Sequence, residues 1–304
     1  MSKTVLAIIE TERFPQEVAN RAAWIAQHFG CDLELVLSDP TLGFLRDSFM
    51  ISADSKQIAE TIKQAQAEEL EQLAASVDAA GLTVTTSIIN DRPASDAIVA
   101  KALDCEPAFV VKGTAYHSPA ERATFTFTDW QLIRKLSYPL WLVKPQDWKE
   151  NTVIVAAVDP IHQHDEAGKL DQAIVDAAKT LAAKCDGKVM LLHTYQRLDE
   201  IGAYAKLRFK PLRVPIDEIE KKMRDEHHRH LDALAAKNDI DPDAIHQLPG
   251  RTREILPTFA RAYGADLVVM GAVARTGLKR RILGSTAEQV LDHLHCDILI
   301  ERGE

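Results

Sequence analysis

Short apolar runs alternate with amphipathic segments along this chain, most clearly in its second half. Val153–Val158 is an unbroken run of valine, isoleucine and alanine, which is typical of a strand buried on both faces. From Asp171 to Cys185 apolar residues recur every three or four positions, which predicts a helix, and Gly187 ends it. The same criteria predict strands at 188–193, 244–248, 267–270 and 298–300, and helices at 216–237, 253–263 and 287–294.

The first half repeats this series, with a long helix predicted at 54–80 and ended by Gly81. Self-similarity over such a length indicates two copies of one unit of about 150 residues. The last two of the three matching pairs of segments share one offset of 158 residues. The pairs are 5–10 with 153–159, 105–113 with 263–271, and 130–144 with 288–302.

Strands that alternate with helices imply right-handed crossovers and parallel sheets. A chain of 304 residues suits two domains at roughly 150 residues each. We therefore predict an α/β protein with two doubly wound parallel sheets in tandem and with domains at 1–146 and 152–304. The linker is expected near 144–152, because Pro145 and charged neighbours interrupt both patterns.

Charge narrows the range of partners. The chain holds 45 acidic and 36 basic residues, so its formal charge is −9. Nucleic acids and anionic membrane surfaces require a basic face, and neither is expected as a partner. Residues 1–150 hold 21 acidic and 14 basic residues, against 24 and 22 in the remainder. An anionic ligand is therefore favoured in the second half.

The cellular compartment is predicted from three kinds of segment that the sequence does not show: a membrane span, a signal-peptide core and a cysteine motif. No apolar run approaches the ~20 residues that cross a bilayer, and the N-terminal apolar stretch is too short for a signal-peptide core. The four cysteines are far apart and form neither a CxxC pair nor metal-finger spacing. We expect a cytoplasmic protein with reduced, mostly buried thiols.

The strongest chemical signal is a glycine-rich segment between the strand predicted at 267–270 and the helix predicted at 287–294. Glycines let the backbone approach a ligand closely, and the free amides at a helix N-terminus attract an anion. Basic residues crowd into the same segment, a combination that suits a phosphate group. Its candidate residues are Gly271, Arg275, Gly277, Gly284, Ser285 and Thr286, with further cations at Lys279, Arg280 and Arg281.

This segment resembles the glycine loop of the universal stress proteins. ATP-binding members of that family carry Gly-x2-Gly-x9-Gly-Ser/Thr between their fourth strand and last helix. Gly271, Gly284 and Ser285 match this pattern, Thr286 follows them, and Ala274 stands where the second glycine is expected. The resemblance covers both halves and is to the tandem, two-domain type.

The resemblance implies an adenine-nucleotide-hydrolase-like fold with strand order 3-2-1-4-5 in each domain. It implies ATP with Mg²⁺, or a related phosphorylated small molecule, as the ligand of the second domain, with Asp159 against the nucleoside part. Members of the family pair through their last strands. The resemblance therefore also implies an intramolecular pseudo-dimer in which 139–143 meets 297–300, and it leaves room for further dimerisation.

The first copy has lost the residues that make this loop suitable for phosphate, and only Gly113 is retained. We predict that the first domain does not bind a nucleotide in the manner of the family. Its aromatic residues are candidates to line an apolar pocket or the seam between domains, and they are Tyr116, Phe125, Phe127 and Trp130. At the offset of 158, Gly284 becomes Thr126, Ser285 becomes Phe127, Gly277 becomes Pro119, Ala274 becomes Tyr116 and Lys279 becomes Glu121.

The main candidates also have purely structural interpretations. Ser285 with Glu288 forms a capping box, which accounts for a helix start without any ligand. Glycine loops are often plain connections, and Asp159 before Pro160 suits a turn or a cap. Both interpretations stay open at this point.

The histidines are concentrated in the second half. His227 and His230 share one face of the helix at 216–237, but zinc needs three or four converging ligands, so a zinc site is not favoured. His193, near the end of a predicted strand, is interpreted as a hydrogen-bonded histidine and not as a ligand.

Three functions stay open. The favoured one is a stress-response protein that binds ATP or a related ligand with little or no catalysis. The alternatives are a slow ATP hydrolase, and a scaffold or apolar-ligand-binding protein that uses the inter-domain seam. Segment 159–165 holds no Ser-Gly-Gly, His-x-Gly-His or P-loop motif, and no nucleophile with a matching base can be named, so no catalytic residue is assigned.

Overall fold

The structure is a computed structural model that describes residues 3–49, 53–114, 128–149, 151–161, 165–196, 216–272 and 290–302. The chain divides into two compact units. The first includes residues 3–147 together with Asp297–Ile300, and the second includes 148–272 and 290–296.

Five parallel strands form the sheet of the first unit, in the order β3-β2-β1-β4-β5. This is the predicted order 3-2-1-4-5. The elements of the unit are β1 (Thr4–Ile9), α1 (Pro15–Phe29), β2 (Asp32–Ser38), α2 (Thr41–Phe49), α3 (Ala53–Ser76), β3 (Val84–Ile89), α4 (Ala94–Cys105), β4 (Phe109–Gly113), α5 (Thr128–Lys135) and β5 (Leu140–Val143).

Local chemistry explains where these elements begin and end. Pro15 opens α1, and Gly30 follows it in the left-handed conformation at φ 64°, which favours glycine. The backbone N–H of Thr41 donates to the side chain of Asp39 at 2.9 Å, at the start of a helix that the sequence analysis did not predict.

The long helix of the first unit ends earlier than predicted. It stops at Ser76 and not at 80. The reason is a local hydrogen bond, because the carboxylate of Asp78 accepts from the backbone N–H of Ala80 at 3.2 Å and offers the chain a turn in place of another helical turn.

The last strand, β10 (Asp297–Arg302), runs antiparallel to β5, with Leu299 opposite Trp141. Asp297 is fully buried and fixes this register. Its carboxylate lies 2.8 Å from Arg21 Nε, and it accepts hydrogen bonds from Trp141 Nε1 at 3.1 Å and from the backbone N–H of Lys144 at 2.9 Å. A buried carboxylate with three partners is well compensated for its lost hydration.

Four parallel strands of the second unit have the order β8-β7-β6-β9, the first four positions of the predicted order. The strand predicted at 153–158 and the helix predicted at 216–237 have the predicted bounds. The helix predicted to start at 171 starts at 165. The sequence analysis missed its first turn because residues 165–169 carry no apolar period. The elements are β6 (Val153–Val158), α6 (Asp165–Lys184), β7 (Lys188–Tyr195), α7 (Ile216–Lys237), β8 (Ile245–Pro249), α8 (Thr252–Ala262) and β9 (Leu267–Ala272).

The core of each unit lies along its central strands, with Leu6 and Val110 in the first and Val155 and Val268 in the second fully buried. The helix predicted at 287–294 falls largely outside the described residues. No described helix is long and apolar enough to cross a membrane.

Candidate functional site

The carboxyl ends of β6 and β9 lie side by side in the second unit. The two strands are parallel neighbours in which Ala157 pairs with Met270. Asp159 follows β6 and Gly271 lies near the end of β9, so both reach the same edge of the sheet. The chain leaves β6 toward β7 on one side and arrives at β9 on the other, which makes this edge a switch point, where doubly wound sheets place their ligands.

Of the eight residues predicted for the site, the structure describes Asp159 and Gly271 and brings them together. The other six lie outside the described residues. They are Ala274, Arg275, Gly277, Gly284, Ser285 and Thr286.

Gly271 has a packing role in the structure. A Cβ atom built there would lie 2.5 Å from Cδ2 and 2.7 Å from Cγ of Leu170, a buried residue of α6. Real carbon atoms do not approach so closely, so the Leu170 side chain would have to shift to make room for a side chain at this position. Packing against α6 is thus one reason for glycine at 271.

Asp159 sits in a turn held by α6. Its backbone N–H donates to the Asp171 carboxylate at 3.0 Å, and Asp171 is buried. The Asp159 side chain is 53% exposed, and its Oδ1 lies 3.8 Å from Nδ1 of His193. The carboxylate is therefore accessible at this edge of the sheet, where a ligand can reach it.

A pair of histidines lines the same edge. His193 of β7 is buried, with Nδ1 3.1 Å from the carbonyl oxygen of Val158 and Nε2 2.7 Å from Nδ1 of His227 on α7. The two rings stack with centroids 5.0 Å apart, and the ring of Tyr195 lies 5.3 Å from that of His227. His193 is thus a hydrogen-bonded histidine at a strand end, as predicted. Its bond to His227 was not predicted.

Burial, followed by the neighbouring His193, lowers the pKa of His227, so this imidazole is neutral at neutral pH. Nearby Asp159 and Glu226 act in the opposite direction without outweighing burial. Across the described part of the chain, no group of three or more His, Cys, Asp or Glu side chains is arranged to hold a metal ion.

The corresponding edge of the first unit is filled by an ionic network. Lys112 of β4 is buried, and its Nζ lies 2.6 Å from Oδ1 of Asp129 and 2.7 Å from Oε2 of Glu10. The hydroxyl of Thr114 donates to Asp129 at 2.7 Å. At the offset of 158, Lys112 stands where the second copy has Met270.

The ion pair favours the charged forms of both Lys112 and Asp129. Burial alone opposes the charged amine, but the carboxylates of Asp129 and Glu10 keep the pKa of Lys112 above its ordinary value. Burial likewise opposes the charged carboxylate, but Lys112 keeps the pKa of Asp129 below its ordinary value. The one retained glycine, Gly113, is covered too, because a Cβ there would overlap the carbonyl oxygen of Arg13.

Sequence reasoning missed this network, although a lysine inside the apolar run at 109–113 was a signal for it.

Of the aromatic residues proposed to line an apolar pocket, Trp130 is buried, and the other three fall outside the described residues. The first unit has a cavity of about 520 Å³ between α4 and α5, lined by Val99, Leu103, Gln131, Arg134, Lys135, Leu136, Ser137 and Tyr138.

The structure thus has two tandem doubly wound α/β units, and in the first unit the switch point is filled by its own side chains. The sequence profile of the universal stress protein family matches residues 1–144 and 151–302. The chain belongs to the universal stress protein family.

Relatives of similar length match this chain along almost all of its residues. The chain is 29% identical over 310 residues to universal stress protein E of Salmonella typhi, covering 99% of this chain and 94% of the relative. It is 26% identical over 307 residues to universal stress protein E of Escherichia coli K12, with the same coverage. A crystal structure of a universal stress protein from Archaeoglobus fulgidus DSM 4304 superposes with a TM-score of 0.64 at 13% identity, covering 100% of this chain and 97% of that one, which shows the shared fold.

Proposed function

We propose that the second unit binds ATP, or a related phosphorylated small molecule, at the edge formed by β6 and β9, with little or no catalysis. The observation that carries this proposal is the placement of Asp159 beside Gly271 at the switch point, with the Asp159 carboxylate exposed. A carboxylate at this position can accept hydrogen bonds from the hydroxyl groups of a ribose.

The phosphates would be held by the segment after β9. Its glycines, its four cations and the hydroxyl groups of Ser285 and Thr286 supply donors and positive charge for an anion, and Mg²⁺ would accompany ATP. Because Ala274 replaces the second glycine of the motif, we expect this site to bind phosphate more weakly than the sites of relatives with the full motif. The near balance of charge in the second half supports an anionic ligand there.

The first unit is proposed to bind no nucleotide at the equivalent edge. Lys112, Asp129 and Glu10 already satisfy one another there, and a phosphate would have to displace two carboxylates from the buried amine of Lys112. We further propose that the pairing of β5 with Leu299 and its neighbours in β10 serves as the contact of an intramolecular pseudo-dimer. The four free cysteines support a reducing, cytoplasmic location.

A thermal-shift titration with ATP, ADP and AMP, with and without Mg²⁺, tests the proposal. A ligand that binds only the native state stabilises it by about 2.7 kcal/mol at a hundredfold excess over Kd. We expect the shift with wild-type protein and its loss in Gly284→Val and Asp159→Ala. Thr126→Val, at the equivalent position of the first copy, is the matched control and should keep the shift.

Other outcomes would point to other functions. No shift at millimolar nucleotide would reject the proposal and favour a scaffold without nucleotide. Multiple turnovers of ATP per protein, abolished by Asp159→Ala, would instead indicate a slow hydrolase. Mass spectrometry of small molecules retained through purification identifies the natural ligand without a prior choice of probe.

A further inference from the structure

The hydrogen bonds of the histidine pair determine which nitrogen atoms carry protons. A neutral imidazole has one N–H donor and one acceptor nitrogen. His193 Nδ1 faces two acceptors, the Val158 carbonyl oxygen at 3.1 Å and Asp159 Oδ1 at 3.8 Å. A carbonyl oxygen can only accept, so in the neutral imidazole of His193 the proton is on Nδ1 and Nε2 is an acceptor.

The same reasoning extends to His227. Because His193 Nε2 accepts, the His227 Nδ1 that lies 2.7 Å from it must donate. The pKa of His227 is lowered by burial and by His193, while Asp159 and Glu226 oppose this shift, so the ring is neutral and carries one proton. That proton is used at Nδ1, which leaves Nε2 of His227 with a free lone pair.

This lone pair is held in a fixed position. The His227 ring stacks on His193 at 5.0 Å and lies 5.3 Å from the ring of Tyr195, so two rings of β7 restrict its rotation. Among the described residues, none forms a hydrogen bond to Nε2 of His227, and the residue is only partly buried. His227 is thus a preorganised acceptor that is linked through His193 to Asp159, because Nδ1 of His193 lies 3.8 Å from Oδ1 of Asp159.

We propose that His227 is a specificity-determining residue whose Nε2 accepts a hydrogen bond from an amino group on the base of the ligand. This inference rests on the proposed function. A 6-aminopurine offers an N–H donor at its exocyclic position, whereas a 6-oxopurine offers an acceptor that would face the lone pair of His227. The oxygen of a 6-oxopurine and Nε2 of His227 are both acceptors and cannot form a hydrogen bond with each other, which weakens binding. The site therefore prefers a 6-aminopurine to a 6-oxopurine.

Calorimetric titration of the full chain with ATP and with inosine triphosphate, both with Mg²⁺, tests this selection, because the exocyclic amine of ATP is replaced by an oxygen. One neutral hydrogen bond at a partly exposed site corresponds to about a fivefold preference for ATP. His227→Asn keeps an N–H near the Nδ1 position for His193 but lacks the outer acceptor, and it should reduce the preference to about one. His228→Asn, on the exposed neighbour, is the matched control and should retain the preference.

Equal binding of the two triphosphates by wild-type protein, or an unchanged preference in folded His227→Asn, would overturn this inference alone. Absence of binding to either would overturn the proposed function and this inference with it. The proton positions are testable without ligand, since two-bond proton–nitrogen NMR distinguishes the two imidazole tautomers. We expect His227 as the Nδ1–H form, and an Nε2–H form would also overturn the inference.

Discussion

Removing either charge of the buried pair Lys112–Asp129 is expected to destabilise the first unit strongly. Nζ of Lys112 and Oδ1 of Asp129 lie 2.6 Å apart, and both side chains are almost completely buried. Removing one partner leaves the other as an uncompensated buried charge, which costs about 3–5 kcal/mol. For a domain of this size each kcal/mol lowers Tm by roughly 2–4 °C, so Lys112→Met and Asp129→Ala should each lower it by about 6–20 °C.

The double variant Lys112→Met/Asp129→Ala separates this mechanism from simple loss of packing. It places in the first copy the residues that the second copy has at 270 and 287. Because both charges are removed together, the double variant should be more stable than the sum of the single losses predicts, by about 2 kcal/mol or more. Additive losses would refute the reasoning.

Urea denaturation followed by tryptophan fluorescence measures these differences, since Trp24, Trp130 and Trp141 belong to the first unit. Lys63→Met is the control, because its ion pair with Glu60 is largely exposed and should contribute within about 0.5 kcal/mol. If the single variants of the buried pair had a free energy of unfolding as close to wild type as that of this control, the buried ion pair would not stabilise the first unit as expected.

The pKa shifts of Asp129 and Lys112 predict how their contribution to stability changes with pH. The depressed pKa of Asp129 means that its contribution is present above the ordinary value for aspartate and is lost as pH falls through the folded value. The raised pKa of Lys112 means that its contribution is present below the ordinary value for lysine and is lost as pH rises through the folded value. The variants should therefore differ most from wild type at intermediate pH.

Three further outcomes are expected. Asp297→Ala should lower the free energy of unfolding by about 3–5 kcal/mol, because Asp297 is fully buried and its partner Arg21 is only 11% exposed, and equilibrium denaturation measures this. Gly271→Ala should destabilise by about 1–3 kcal/mol through its clash with Leu170, whereas Gly168→Ala, which meets open space in a helix, should be neutral or stabilising in the same thermal melt. Burial raises the pKa of Glu301 to about 7, so stability should fall as pH rises from 4.5 through 7, and Glu301→Gln should abolish that fall.

Much of the fold could be predicted from residues close together in the chain. The run at 153–158 and the apolar period at 216–237 depend only on local pattern, and both elements have the predicted bounds. Errors arose where a local side chain competed with the helix, as Asp78 does after Ser76. The internal repeat, which also needs only comparison of the chain with itself, predicted two units and placed the candidate site in the second.

The sequence by itself determined the repeat and the alternation of strands and helices, and its resemblance to the family assigned Asp159 and the glycine-rich segment to one ligand site. Only the tertiary structure decided which distant side chains meet there. His193 and His227 are 34 positions apart, and Lys112 and Asp129 are 17 apart, so no periodicity links them. Their contacts exist because helices fold back onto strand ends, where burial removes water and makes each polar group depend on the partner that packing supplies.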